Sequence, residues 1–155
     1  MRICVAAVGR LRKGPEAALV DDYLGRFAKA GRSLGLPAIE LAEVEDKRGG
    51  GMAAEADLLT RAIPAGAVLV ALDERGDQPT SPEFAARLAG WRDQARDVCF
   101  VIGGADGIAP DLRDRADWSI SLGRMVWPHL LVRVMLAEQL YRAATILSGG
   151  PYHRA

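Results

Sequence analysis

The polar side chains best suited to chemistry lie in an apolar segment near the C-terminus. His129 and Arg133 are four residues apart, and so are Glu138 and Arg142. On a helix each pair shares one face, and the two pairs lie almost opposite each other. A glutamate four residues before an arginine most commonly forms a local ion pair. Because the segment is otherwise apolar nearly all round, we expect a helix buried between two subunits, with one pair facing each active site.

The C-terminal residues Tyr152, His153 and Arg154 offer a second set of reactive groups. Terminal residues are usually frayed and without function. An aromatic ring, a group that exchanges protons near neutral pH and a cation are nevertheless what recognition of single-stranded RNA requires. The motif is too short to decide between a functional tail and a frayed one.

Two further segments follow apolar runs and could line a binding site. Residues 103–107, Gly-Gly-Ala-Asp-Gly, would let the backbone approach a ligand closely, although such a segment is more often a simple turn. Residues 122–129 contain one arginine, Arg124, and could enclose an aromatic ring by means of backbone groups. An ordinary strand-to-helix turn, with Arg124 bound to a surface carboxylate, is an equally good interpretation.

These segments belong to a chain in which short apolar runs alternate with helical periods. Strands are expected at residues 3–8, 38–44, 67–72, 98–102 and 118–122. Helices are expected to begin at Pro15, Met52, Ser81 (as the N-cap), Pro110 and Pro128. This alternation predicts a single α/β domain with a mainly parallel sheet. Ligands of such sheets bind at the carboxyl ends of the strands, so the loops after Leu72, Ile102 and Leu122 are the candidate site.

The composition disfavours several classes of protein. The 20 basic and 20 acidic residues give a formal net charge of +0, which argues against broad nonspecific binding to nucleic acid. No apolar run approaches the roughly 18–20 residues of a membrane span, and no secretory signal is present, so we expect a soluble cytoplasmic protein. Cys4 and Cys99 lack metal-ligand spacing and are expected to be buried thiols, so no metal is predicted.

The C-terminal motifs together resemble those of one enzyme family. The similarity to the ribosomal RNA large subunit methyltransferase H family, of the SPOUT class, rests on Pro128-His129-Leu130, Arg133, residues 137–143 (Ala-Glu-Gln-Leu-Tyr-Arg-Ala) and the ending Pro151-Tyr152-His153-Arg154. It extends over the whole chain through Val8-Gly9, Leu72-Asp73, Val101-Ile102-Gly103-Gly104 and Ser119-x-Ser121-Leu122.

The resemblance implies a SPOUT fold with a C-terminal trefoil knot that holds S-adenosylmethionine, and it implies a homodimer. The implied reaction is methyl transfer to N3 of pseudouridine 1915, in helix 69 of 23S rRNA in the assembled 70S ribosome. By motif position, the cofactor contacts would fall on Leu72, Gly104, Gly123, Arg124, Met125, Val126, Trp127 and Pro128. Family members often have Ser and Thr-Leu where this chain has Gly123, Val126 and Trp127, so we expect backbone rather than hydroxyl contacts to adenine.

The reaction requires an acceptor nitrogen that has lost its proton. We expect Tyr152, His153 and Arg154 to position and activate the base, with His153 preferred as proton acceptor over His129 or Arg154. Arg133 and Arg142 are expected to bind RNA phosphate or to organise the active site, with Glu138 orienting Arg142. Two alternatives remain: a SPOUT methyltransferase of another RNA such as transfer RNA, and a noncatalytic ribosome-binding factor.

Overall fold

The computed structural model describes residues 1–153 and shows a five-stranded parallel sheet with helices on both faces. The strands are β1 (Ile3–Val8), β2 (Ile39–Val44), β3 (Val68–Asp77), β4 (Val98–Ile102) and β5 (Trp118–Ile120). The helices are α1 (Pro15–Gly31), α2 (Gly51–Ala62), α3 (Ser81–Asp93), α4 (Pro110–Asp114) and α5 (His129–Ser148), with a short 3-10 turn at Arg32–Leu34. The strand order is β2-β1-β4-β3-β5, and every neighbouring pair is parallel.

Alternating side chains of the central strands build two separate cores. In β1, Ile3 and Val5 pack into a core that also takes Phe27 of α1 and Leu140 of α5. The intervening residues of β1 point to the opposite face, where Leu59 of α2 packs among them. Since successive residues of a strand face opposite sides, both sides of β1 must be apolar, and the whole strand is buried.

Strand β3 is longer than predicted. The apolar run predicted a strand over residues 67–72, but the strand continues to Asp77, which lies opposite Ile120 of β5. The backbone oxygen of Asp77 accepts a hydrogen bond of 2.7 Å from the nitrogen of Ser121. A Cβ on Gly76 would lie 2.6 Å from the backbone of Ser119, so only glycine permits this approach. Strand β5 is correspondingly shorter than residues 118–122.

The start of α3 differs from the prediction by one residue. Thr80, not Ser81, is the N-cap. Its side chain accepts a hydrogen bond from the backbone nitrogen of Glu83, and the backbone nitrogen of Thr80 donates to the Glu83 carboxylate at 3.0 Å. Ser81 instead donates its hydroxyl to Gln139 of α5 at 2.8 Å. This bond helps to join α3 to the helix that carries the predicted catalytic residues.

Candidate active site

A cleft of about 270 Å³ opens at the carboxyl edge of the sheet. It lies between the segments that follow β3, β4 and β5, which are the three loops selected from the sequence. Its walls are mostly apolar and are formed by Leu72, Ile102, Ile108, Ile120, Leu122 and Val132. Apolar walls at strand ends are typical of small-molecule sites in parallel sheets.

The glycine segment after β4 is a turn packed tightly against itself. The nitrogen of Gly107 donates to the oxygen of Gly104 at 3.0 Å, and Gly107 has a φ of +83°. A Cβ on Gly103 would lie 2.5 Å from the backbone of Gly107. Residues 103–107 therefore form a turn and also one wall of the cleft, so the two interpretations of this segment do not exclude each other.

The loop after β5 leaves backbone groups free beside the cleft. Ser121 fixes its start, because its hydroxyl donates to the oxygen of Gly123 at 2.7 Å and accepts from the nitrogen of Gly123 at 3.1 Å. Within residues 1–153, the backbone groups of residues 124–127 form no hydrogen bond. Met125 and Val126 are 74% and 79% exposed, so this loop brings apolar side chains to the surface as well.

Carboxylates that the sequence analysis missed stand along the cleft. Asp73 accepts from the backbone nitrogen of Arg75 at 2.8 Å, and its side chain forms ion pairs with Arg75 and Arg113 at 3.3 and 3.7 Å. Glu74 and Asp106 also line the cleft. The position of Asp73 directly after an apolar run is the signal that could have identified it, since strand ends carry ligand contacts.

A further carboxyl lies behind the glycine turn. An oxygen of Glu55, in α2, is 3.0 Å from the place that a Cβ on Gly104 would occupy. Burial raises the pKa of Glu55, and the nearby Asp106 and Asp46 carboxylates raise it further, while His129 acts in the opposite direction. Nothing in the local sequence of α2 distinguishes Glu55 from an ordinary helix glutamate, so only the packing of α2 against the turn reveals it.

Arg133 is a buried residue that joins α5 to the ends of β1 and β2. It is 2% exposed, and its guanidinium donates to Glu43 at 2.6 Å and to the backbone oxygens of Val8 and Gly9 at 3.1 Å. The expectation that Arg133 could bind an RNA phosphate is therefore wrong, because the whole guanidinium is buried and its two terminal nitrogens donate inside the protein. Its Nε is also buried and has no hydrogen-bond partner among residues 1–153. The other expectation, organisation of the active site, fits its place one turn after His129, which lines the cleft.

The tail is docked on α5 and is not frayed at Tyr152. The hydroxyl of Tyr152 donates to Glu138 at 3.0 Å, and the Arg142 guanidinium donates to the same carboxylate at 2.9 Å. The centroid of the Tyr152 ring lies 4.7 Å from the centroid of the Tyr141 ring. The guanidinium carbon of Arg142 lies 4.9 Å from the Tyr152 centroid. Burial, with the hydrogen bond to Glu138, raises the pKa of Tyr152, so this side chain stays a phenol that donates.

The remaining tail residues are described only in part. His153 is half-buried, and its Nδ1 is shielded from solvent without a hydrogen-bond partner among residues 1–153. The predicted role of Arg154 falls on a residue outside those that the structure describes.

Within one chain, the two parts of the predicted site, the cleft and the C-terminal tail, lie apart. Glu138 follows His129 by nine residues, which corresponds to about 13 Å along α5. His129 lines the cleft, whereas Tyr152 and His153 do not. A single chain therefore does not bring Tyr152 or His153 to its own cleft.

Residues 1–153 match the family model described as "Predicted SPOUT methyltransferase". The chain belongs to the SPOUT methyltransferase family. Relatives named "Ribosomal RNA large subunit methyltransferase H" are 77% identical in Paracoccus denitrificans and 70% identical in Cereibacter sphaeroides, in each case over 99% of both chains. The solved structure of a probable methylase family protein from Haemophilus influenzae shares the fold, with a TM-score of 0.56 and 12% identity over 99% of this chain and 70% of that one.

Family membership confirms the expected fold class, the expected methyltransferase activity and S-adenosylmethionine as the cofactor of this SPOUT methyltransferase. The trefoil knot stays a prediction. In the part of the chain that the structure describes, no helix is long and apolar enough to cross a membrane. The same residues contain no group of three or more His, Cys, Asp or Glu side chains that could hold a metal ion.

The cleft of this SPOUT methyltransferase has the chemistry that its cofactor requires. Apolar walls suit the faces of adenine, and the free backbone groups of residues 124–127 can bind its polar edge. Glu74 and Asp106 line the cleft and form no ion pair within residues 1–153, so their charges complement a ligand with a positively charged sulfur, whereas Asp73 is already paired with Arg75 and Arg113. Of the residues predicted from motif position, Leu72, Gly104, Gly123, Met125, Val126 and Trp127 line the cleft, while Arg124 and Pro128 are exposed beside it.

The Gly103→Ala variant tests the packing of the glycine turn. We expect a loss of about 1–3 kcal/mol in the free energy of unfolding, because the added Cβ meets backbone atoms that cannot rotate away. Urea denaturation measures this loss, and calorimetry measures the accompanying drop in cofactor affinity. The matched control is Gly90→Ala in α3, where a Cβ meets nothing within 4 Å and stability should not fall. Equal stability of the two variants would contradict the interpretation.

Proposed function

We propose that this SPOUT methyltransferase acts on ribosomal RNA and methylates N3 of pseudouridine 1915 in helix 69 of the 23S rRNA. It works in the cytoplasm on the assembled 70S ribosome. The observation that carries the proposal is the 77% identity, over 99% of both chains, to a protein named "Ribosomal RNA large subunit methyltransferase H". The choice of base rests on the resemblance of the C-terminal motifs.

The cleft holds the cofactor through the residues that line it. When bound, S-adenosylmethionine supplies a methyl group on a positively charged sulfur, and its transfer to N3 leaves S-adenosylhomocysteine and one proton. Leu72, the turn at Gly104 and the loop from Gly123 to Pro128 would hold the adenosine part of the cofactor, with Met125 and Trp127 as apolar contacts. Enclosure by rigid strand ends supports catalysis by alignment of the reacting groups.

The active site is completed by the tail of a second copy of the chain, in a homodimer. Two features support this arrangement: the separation of about 13 Å along α5 between the cleft and the cluster of Glu138, Arg142 and Tyr152, and the apolar side chains left exposed near α5. These side chains belong to Leu19, Met125, Val126, Trp127 and Leu131. A two-fold dimer with its axis near α5 covers them and gives each cleft the partner's tail.

Within that composite site, His153 accepts the N3 proton. Its shielded Nδ1 without a partner among residues 1–153 supports this role, and the phenol of Tyr152, bound to Glu138, supports a positioning role for the tyrosine. Arg142 is neutralised by Glu138 and fixes the tail, which agrees with the predicted orientation of Arg142 by Glu138. Arg154 binds the developing negative charge of the uracil ring.

Mass analysis of RNA from a strain that lacks the gene tests this function. We expect one methyl group to be missing from the helix 69 pseudouridine, and a plasmid carrying the wild-type gene to restore it. A methyl group missing from a transfer RNA instead would favour the transfer RNA alternative. Unchanged RNA, with defective ribosome assembly, would favour a noncatalytic factor. Calorimetry of the purified protein with S-adenosylmethionine checks the cofactor separately.

A further inference from the structure

Two neighbouring loops place a cluster of cations at the carboxyl edge of the sheet. The loop after β1 carries Arg10, Arg12 and Lys13, and the loop after β2 carries Lys47 and Arg48. Together these five residues are called the basic edge. The two loops begin side by side, because Val8 lies opposite Val44 and the nitrogen after it, on Gly9, donates to the oxygen of Val44 at 2.7 Å.

The charges of the basic edge are exposed and largely unpaired. All five side chains are exposed, and only Arg10 takes part in an ion pair within residues 1–153, with Glu45 at 3.4 Å. Residues 9–14 and 45–50 hold these five cations and two carboxylates, an excess of three positive charges in a chain whose formal net charge is +0. Two arginines near the opposite edge of the sheet are paired with carboxylates: Arg2 with Glu40 and Arg92 with Asp93.

Hydrogen bonds hold both loops in place. Arg133 donates to the backbone oxygens of Val8 and Gly9, and the Glu43 carboxylate that it neutralises accepts from the nitrogen of Leu11 at 2.6 Å. In the second loop, Asp46 accepts from the backbone nitrogens of Arg48 and Gly50. The cations are therefore presented on ordered turns, which lowers the entropy cost of binding a ligand.

The basic edge adjoins the cleft along the same side of the sheet. Strand β1 lies next to β4, whose end forms one wall of the cleft. The imidazole of His129, which lines the cleft, has its Nε2 3.9 Å from the place of a Cβ on Gly9, at the start of the first basic loop. A polyanion that crosses the basic edge therefore comes close to the cleft.

We propose that the basic edge binds backbone phosphates of the RNA that flanks the methylated base. This inference rests on the proposed function and adds to it the surface that holds the substrate. Unpaired lysines and arginines on ordered turns beside a base-modifying cleft are complementary to a phosphate backbone, and each contact releases counterions on binding. Such contacts determine affinity and orientation but not the identity of the base.

A charge-matched pair of variants tests the proposal. The first variant, Arg12→Gln/Lys13→Gln/Lys47→Gln/Arg48→Gln, removes four charges from the basic edge. The control, Lys29→Gln/Arg32→Gln/Arg96→Gln/Arg115→Gln, removes four exposed charges elsewhere. For the first variant we expect KM for 70S ribosomes to rise at least about ten-fold, and the dependence of log affinity on log salt to become less steep by at least about 2. The control, kcat and cofactor affinity should stay near wild type.

The outcomes separate the two proposals. If the wild-type protein methylates ribosomes and the two variants have equal KM and equal salt dependence, the basic edge does not bind RNA. If the wild-type protein binds no S-adenosylmethionine, the proposed function itself fails. Tighter binding of wild-type protein to phosphatidylglycerol vesicles than to ribosomes, lost in the first variant, would assign the surface to lipid and overturn the inference. Circular dichroism and cofactor calorimetry show that each variant is folded.

Discussion

Deletion of residues 152–155 is expected to lower turnover on ribosomes by at least about 10³-fold, because the proton acceptor and its positioning group are lost. The affinity for S-adenosylmethionine should stay within about two-fold of wild type. Neither Tyr152 nor His153 lines the cleft, so the cofactor affinity of the cleft should not depend on them. Single-turnover assays measure the first quantity and calorimetry the second. Deletion of Ala155 alone serves as the control and should have little effect. Persistent turnover in the longer deletion would contradict the role of the tail.

The same deletion also tests whether the tail acts in the partner's active site. A chain without residues 152–155 keeps its cleft, whereas the Gly103→Ala variant keeps its tail but has a damaged cleft. If the tail works across a homodimer, mixed dimers of these two inactive or weakened chains regain turnover, because one intact cleft meets one intact tail. If each tail served its own cleft, mixing would restore no turnover.

The hydrogen bond from the Tyr152 hydroxyl to Glu138 is tested by Tyr152→Phe, which should lower turnover less than the deletion does.

Replacement of Arg133 by methionine is expected to lower the free energy of unfolding by about 3–5 kcal/mol, because the Glu43 carboxylate and two backbone oxygens then lose a buried cation. Urea denaturation measures the change. The double variant Arg133→Met/Glu43→Gln should recover part of the loss, since no unpaired charge remains. The free energy of unfolding of Arg133→Lys should lie between those of wild type and Arg133→Met. Its ammonium keeps the charge but lacks the planar set of donors that reaches three acceptors.

A surface ion pair provides the matched control for Arg133. Arg2 and Glu40 are 2.7 Å apart, but their side chains are 55% and 52% exposed. Arg2→Met should therefore cost much less than Arg133→Met, because water screens the pair and replaces its hydrogen bonds. If Arg133→Met costs no more than Arg2→Met, burial of the guanidinium is not important for stability, and its proposed part in holding the loop after β1 would lose its basis.

Elements with a strong local pattern were predicted well. Strand β1 occupies Ile3–Val8 as expected, and β4 occupies Val98–Ile102, because runs of buried apolar residues bounded by polar ones leave little choice of boundary. Strand β3 was predicted too short, because residues 73–77 are polar and are held as a strand by pairing with β5 and by the close approach of Gly76 to Ser119. Pairing between distant segments has no local signal.

In the candidate site too, features with a local signal were predicted, and features that depend on distant residues were not. The loops after Leu72, Ile102 and Leu122 were selected from the rule that ligands bind at the carboxyl ends of parallel strands, and they line the cleft. The choice between the two predicted roles of Arg133, RNA phosphate binding and organisation of the active site, could not be made from the sequence. Its partner Glu43 is 90 residues earlier in the chain, and an arginine on an apolar helix looks the same in sequence whether it faces RNA or the interior.

For this protein, the amino-acid sequence by itself determined the alternation of strands and helices, the family and the loops that line the cleft, because periodicity and motifs are carried by residues near one another in the chain. The tertiary structure alone decided that Arg133 is enclosed by Val8, Gly9 and Glu43, that Glu55 lies behind Gly104, and that Tyr152 docks on Glu138 and not in the cleft. These are relations between residues brought together, or kept apart, by the strand order β2-β1-β4-β3-β5 and by the packing of α5 on the sheet. They depend on long-range packing, which no local pattern of residue types encodes.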